Sequence, residues 1–298
     1  MTTFWLKVIA MATMVIDHAA IAFFGNALWL RVIGRLAFLI YAFLMAEGFR
    51  HYRDDPGRIR KHFFRLTLVM IVSEFACDYF DAMRWVVWSE QSVIPTLWLG
   101  FIGMWFTEYV RKENAAGANG TGTVRRDASG GGEAGLSGPK MTARNRLLVA
   151  IGWAILAGVS YAINSQYRIA GVLLILAFYL YRDRTSLSGR AETSDEQETE
   201  APESDSRFGT GTRLVHYLLI LAAFVVLHVG IEIYPYPLVH YFMRSASIGP
   251  LTFGMLFTAV PLALYNGARG FKNRLTSLLY GWFYPLQFFI IILIRAFL

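Results

Sequence analysis

Residues 4–24 read FWLKVIAMATMVIDHAAIAFF, an apolar run that carries the dipeptide Asp17-His18 near its end. A helix of about 20 residues rises ~30 Å, the thickness of a bilayer's hydrocarbon core. An ionised Asp at mid-membrane costs roughly 2.5–3.5 kcal/mol on insertion scales, so such residues face a protein interior or a water-filled cavity. The run has no basic n-region beyond Lys7 and is polar where a secretory h-region is apolar, so it reads as a permanent helix rather than a cleaved signal.

Outward from this run the same pattern repeats. The chain is 55% hydrophobic and 16% charged, too apolar for a soluble domain of its length. Apolar windows fall near 4–24, 29–49, 63–80, 93–110, 147–163, 169–182, 214–233, 250–266 and 276–297. They predict an all-α, polytopic membrane bundle of about nine transmembrane helices, a single domain spanning 1–298. Two hydrophilic stretches, 113–143 and 185–212, interrupt it and read as disordered cytoplasmic loops.

The net charge of +7 gives no nucleic-acid signal, because the basic residues gather in alternate loops. Arg50, Arg53, Arg58, Arg60, Lys61, Arg111, Lys112, Arg182, Arg184, Arg269, Lys272 and Arg274 sort to one side. Arg31, Arg84, Arg168, Arg244 and Arg295 sort to the other. The positive-inside rule then puts the N-terminus in the cytoplasm of a multi-pass plasma-membrane protein, with the lipid bilayer its first partner. Cys77 has no second cysteine to bond and reads as a packed thiol. No His/Cys/Asp/Glu spacing matches a metal site, and no Walker, dinucleotide or serine-elbow pattern occurs.

Topology gathers the buried polar residues in the outer half. Asp17 and His18 end the first span, Arg31 and Arg35 begin the second, and Glu74 and Asp78 end the third. Each of the last two pairs is four apart, hence on one helix face. An Arg31/Arg35 face meeting a Glu74/Asp78 face would neutralise both. Gln91, Arg168, His228 and Glu232 fall at similar depth. His51, His62, His216 and His240 lie at helix ends or in loops. An imidazole alone has an ordinary pKa near neutrality, so His18 is the expected general base, with Asp17 setting its tautomer. Neighbours on a helix diverge by about 100°, so Asp17 could instead pair with Arg35 and leave His18 to a substrate.

The residues LK at 6–7, Asp17-His18, RVIGRLAF at 31–38 and AEG at 46–48 resemble the opening of the TraX family, named for the F-pilin acetylase. RL at 65–66, SE at 73–74 and QSVIPTL at 91–97 with Gly100 continue the resemblance. So do GVLL at 171–174 with Tyr179, YNG at 265–267 with Arg269-Gly270, and FYPL at 283–286. The resemblance implies a membrane acyltransferase of the broader acyltransferase-3-like group. Such an enzyme moves an acetyl or similar acyl group from acetyl-CoA or another acyl-CoA to an extracytoplasmic amine or hydroxyl, with a pilin-like peptide or a glycan as acceptor. It implies Asp17 and His18 as active centre and Arg31, Arg35, Glu47, Glu74, Asp78, Gln91, Asn266 and Gln287 as oxyanion-stabilising or substrate-lining residues. The chain departs from the family at Gln287, where a His is usual, at Gln166-Tyr167-Arg168, where Asp-Tyr-Gly is frequent, and at Leu39, where Pro is usual. Intramembrane Asp, Glu, His and Arg also mark ion-coupled transporters, and a purely structural charge network would suit an assembly factor.

Overall fold

The computed structural model describes residues 1–25, 27–83, 91–120, 141–192, 209–233, 251–271 and 273–297, with the backbone alone at 81–82, 118–120, 184–192, 232–233 and 274. Most of the described residues are helical, and no strand occurs among them. The helices are α1 (Thr3–Phe23), α2 (Leu28–Gly34), α3 (Leu36–Arg50), α4 (Pro56–Ala82) and α5 (Val93–Gly120). They continue as α6 (Ala143–Ala162), α7 (Arg168–Glu192), α8 (Thr210–Ile233), α9 (Leu251–Ala263) and α10 (Arg274–Phe297).

Local chemistry marks several boundaries. Asp55 caps α4 by accepting from the Arg58 amide at 3.0 Å, with Pro56 in the first turn, where its missing N–H is harmless. Thr142 caps α6 through the Asn145 amide. Gly25, at φ +56°, supplies the left-handed turn that folds α2 back on α1.

Each predicted apolar window falls on a helix, and among the described residues six spans are long and apolar enough to cross a membrane, so the expected count of nine is not confirmed. These are α1, α2–α3 taken together (Leu28–Arg50), the first 25 residues of α5, α6, α8 and α10. The other three fail for physical reasons. α4 carries Arg58, Arg60, Lys61, Arg65, Glu74 and Asp78, the apolar part of α7 is short and runs into Arg182 and Asp183, and α9 rises only ~20 Å. The protein is a membrane protein on the strength of the six.

The predicted loops are also trimmed. α5 continues to Gly120, α7 to Glu192 and α8 begins at Thr210, because stretches such as KENAA favour helix. The remainders, 121–140 and 193–208, lie outside the described residues, as do Arg84, His240, Arg244 and Lys272 and the side chains of Arg184, Glu232 and Arg274.

α3 and α7 form the centre. Leu39, Ile40, Ala42, Phe43, Ala46 and Phe49 of the former and Val172, Ile175, Phe178 and Tyr179 of the latter are fully enclosed. α5 and α6 flank α7 on one side and α8 on the other, while α1 packs on α2, α3 and α10 and α4 packs on α10 and α5. Met1 donates its amino group to Leu264 O and accepts from the Asn266 amide at 2.9 Å. The start of α1 and the α9–α10 connection therefore share one end of the bundle, called here the Met1 end. Asp17 lies fourteen residues along α1 from Thr3, ~21 Å toward the other end.

Candidate functional site

Close packing of α1 and α2 builds the Asp17 end. A Cβ on Gly34 would overlap the Asp17 side chain, so only glycine lets the two helices approach this closely. That approach lays Arg31 beside Asp17, and Arg31 Nε donates to the carboxylate at 3.3 Å. Both side chains are half-buried, which makes the pair stronger than a surface bridge.

His18 points elsewhere. Its ring lies 4.4 Å from that of Phe288, 6.0 Å from Phe80 and 6.2 Å from Tyr284, centroid to centroid. Its Nδ1 is sealed and makes no hydrogen bond. Arg35, at the joint between α2 and α3, donates to the Tyr167 hydroxyl at 3.4 Å, and its buried Nε has no partner. Tyr167 is held by Phe38, stacked at 4.1 Å and 11°.

Asp17, His18 and Arg35 line one cavity of about 330 Å³. It descends along α3 past Tyr41, Leu44, Met45 and Gly48 to Tyr52, and along α4 from Val69 to Arg65 and His62. Lys7, Tyr280 and Tyr284 close the α1 and α10 side. Its two ends differ in chemistry. At the Met1 end His62 stacks on Tyr52 at 4.5 Å and 5° and shares a 3.1 Å hydrogen bond with Arg65. Lys7 sits 4.9 Å over the Tyr280 ring. Burial, then the charges of Arg65, Lys61 and Lys7, push the His62 imidazole down to about 4. The ring is therefore neutral at neutral pH and accepts from Arg65.

The remaining predicted residues divide by place. Glu74 accepts from the Ser92 amide at 3.1 Å and from its hydroxyl at 2.5 Å, a carboxylate seated at the N-terminus of α5. Asp78 is buried beside Glu74 on α4. Gln91 donates its amide to Asn164 O at 3.2 Å. The expected meeting of Arg31/Arg35 with Glu74/Asp78 is thus replaced by Arg31 with Asp17 and Glu74 with Ser92, since α2 packs on α1. Gln287 is buried on α10, and both of its amide atoms lack hydrogen-bond partners.

Glu47 and Asn266 lie at the Met1 end, away from His18. Glu47 accepts from Arg182 Nε at 2.7 Å and Arg50 Nη1 at 3.0 Å. Sequence reasoning missed the neighbouring cluster, in which Asp183 accepts from Arg53 at 2.6 Å and Arg111 at 3.0 Å. Glu108 accepts from Arg111 at 3.1 Å and from the Tyr179 hydroxyl at 2.5 Å. The available signal was the lone acid Glu108 at the end of an apolar run. Among the described residues, no group of three His, Cys, Asp or Glu side chains could hold a metal ion.

The TraX family (TraX protein) matches residues 3–193, which is well over half of the chain. The chain belongs to the TraX family. The matched part of this TraX-family chain covers α1 through α7, and hence Asp17, His18, Arg31, Arg35 and the basic mouth, while Gln287 lies beyond it. A relative from Dichelobacter nodosus, described as a probable fimbrial assembly protein FimC of serogroup H1, is 34% identical over 77 residues, 24% of this chain. The match spans 30% of that protein's length. No solved structure matches. One family departure has a backbone signature: Arg168, where the family often has Gly, adopts φ +42°, in the left-handed region that favours glycine.

Proposed function

We propose that this TraX-family protein is a membrane acyltransferase that moves an acetyl or similar acyl group from an acyl-CoA to an amine or hydroxyl on the far side of the membrane. The single observation behind this reading is the two-ended cavity. A basic, aromatic mouth at Lys7, His62 and Arg65 suits the phosphates and adenine of a CoA thioester. His18 lies eleven residues from Lys7 on the same helix, ~16 Å away, a span suited to the pantetheine arm.

In this reading the Met1 end faces the cytoplasm of the plasma membrane, in keeping with the Arg and Lys residues gathered there. Nε2 of His18 takes the proton of the acceptor N–H or O–H as that atom attacks the thioester carbonyl. The C–S bond breaks, and CoA leaves as the thiol after receiving the proton. Arg35, a buried cation with no carboxylate in bonding distance among the described residues, suits the oxyanion that develops on the carbonyl. Asp17 supplies negative charge near the imidazolium. Kinship with a fimbrial assembly protein favours a pilin-like peptide amine over a glycan hydroxyl as acceptor.

The test is release of CoA and transfer of label from radiolabelled acetyl-CoA by the detergent-purified protein to peptides with free N-terminal amines, for wild type and His18→Ala. Transfer lost in His18→Ala supports the reading. Equal transfer by both removes His18 as base, and solute uptake by proteoliposomes without acetyl-CoA binding would favour a transporter.

A further inference from the structure

The two ring nitrogens of His18 meet different surroundings. Nδ1 is sealed in protein without a hydrogen bond, while the ring lines the cavity. A neutral imidazole carries one N–H and one lone pair, and the partner of the sealed nitrogen decides which is which. For Nε2 to act as base, Nδ1 must carry the hydrogen and needs an acceptor.

Asp17 is poorly placed to be that acceptor. Its carboxylate is bonded to Arg31, its Cβ is wedged against Gly34, and it leaves α1 about 100° away from His18. The opposite helix offers another group. Tyr284 and Phe288 both pack on the His18 ring, and Gln287, three residues after Tyr284, lies on the same side of α10 as that tyrosine. It is only 3% exposed, its amide oxygen and nitrogen both lack partners, and it stands within interaction range of His18.

We propose that Gln287 is the positioning residue for His18. Its amide oxygen accepts from Nδ1–H, holds the ring in that tautomer and leaves the Nε2 lone pair on the cavity side. This rests on the reading of His18 as the general base. When Nε2 takes up a proton the Nδ1–H bond to the amide becomes charge-assisted. An amide cannot ionise, so the positive charge stays on the ring. The charged groups in range are Asp17 from α1 and Arg35 and Arg31 from α2–α3, with Tyr284 facing from α10. Gln287 thereby fixes orientation without the gain in basicity that a carboxylate would bring.

The experiment is ¹⁵N NMR of the full-length, histidine-labelled protein in detergent, with His18 assigned by the signal missing from His18→Asn. The expected wild-type state at pH 7.5 is the Nδ1–H tautomer. Gln287→Leu should lose that preference, and Gln287→Glu should keep it while raising the His18 titration midpoint by about one unit or more. An Nε2–H tautomer in the wild type overturns the proposal, as do unchanged tautomer populations in Gln287→Leu. Should Gln287→Leu not fold, an unshifted midpoint in Gln287→Glu overturns it equally. None of these readings requires turnover, so a wild type that releases no CoA counts against acyl transfer alone.

Discussion

Arg31 Nε donates to the Asp17 carboxylate at 3.3 Å, so the acid beside His18 in sequence is bound to the next helix rather than to the imidazole. The acid-histidine pair is split between two tasks. Asp17 joins α1 to α2, and His18 faces the cavity. Substitutions at the two positions should therefore differ in kind. His18→Gln, which keeps much of the ring's volume, should lower acyl transfer by about 10²–10⁴-fold, the usual worth of a positioned base, with the melting temperature little changed. Asp17→Asn should lower both. Parallel initial rates and thermal melts in detergent separate the two.

Gly34 admits no side chain against Asp17. Gly34→Ala should push α2 off α1 and destabilise the protein by ~1–3 kcal/mol, the typical cost of overpacking. Because the shift moves Arg31 and Arg35 together, CoA release should fall as well. Thermal unfolding and turnover of the same preparation check both effects.

Asp183 holds Arg53 and Arg111 at the Met1 end. Asp183→Ala leaves two guanidinium groups without that carboxylate and should cost about 3 kcal/mol. This is the lower end of the range for breaking a buried pair, because Arg111 is partly exposed. Replacement by Asn should cost less. Denaturation of the two variants gives the comparison.

Lys7 and Arg65 flank the cavity mouth. Lys7→Ala and Arg65→Ala should raise KM for acetyl-CoA several-fold with kcat largely kept, since each removes a contact made equally in the ground and transition states. Higher salt should weaken wild-type binding in the same direction. A KM that is unmoved in both variants would place the donor elsewhere.

His62 makes a pH prediction. Its folded pKa of about 4 lies below the ordinary value near 6.5. Between these values the unfolded chain takes up a proton that the folded ring refuses, so stability falls as pH drops from 6.5 toward 4. His62→Gln should flatten that part of the stability profile, read as melting temperature against pH.

Apolar run length at 4–24 and in its successors was enough to establish a helical membrane protein, because a bilayer demands long hydrogen-bonded apolar segments whatever their neighbours. The family was likewise legible, since short motifs keep their order and spacing through a chain. That Asp17, His18, Arg31 and Arg35 share one end of the bundle was legible, because rise per residue converts position along a helix into height.

Partnership was not legible. Rise per residue says nothing of which face meets which, and the close approach at Gly34 gave Asp17 to Arg31 while Glu74 went to Ser92. Nor does a motif tell which end of the bundle it joins: Glu47, grouped with the His18 lining by resemblance, is bound by Arg182 at the Met1 end. The cavity that connects Lys7 to His18, and the nearness of the Gln287 amide to His18, exist only once α1, α3, α4 and α10 are packed. Side chains far apart in the chain meet there through helix rotation and close packing, and no local pattern encodes either.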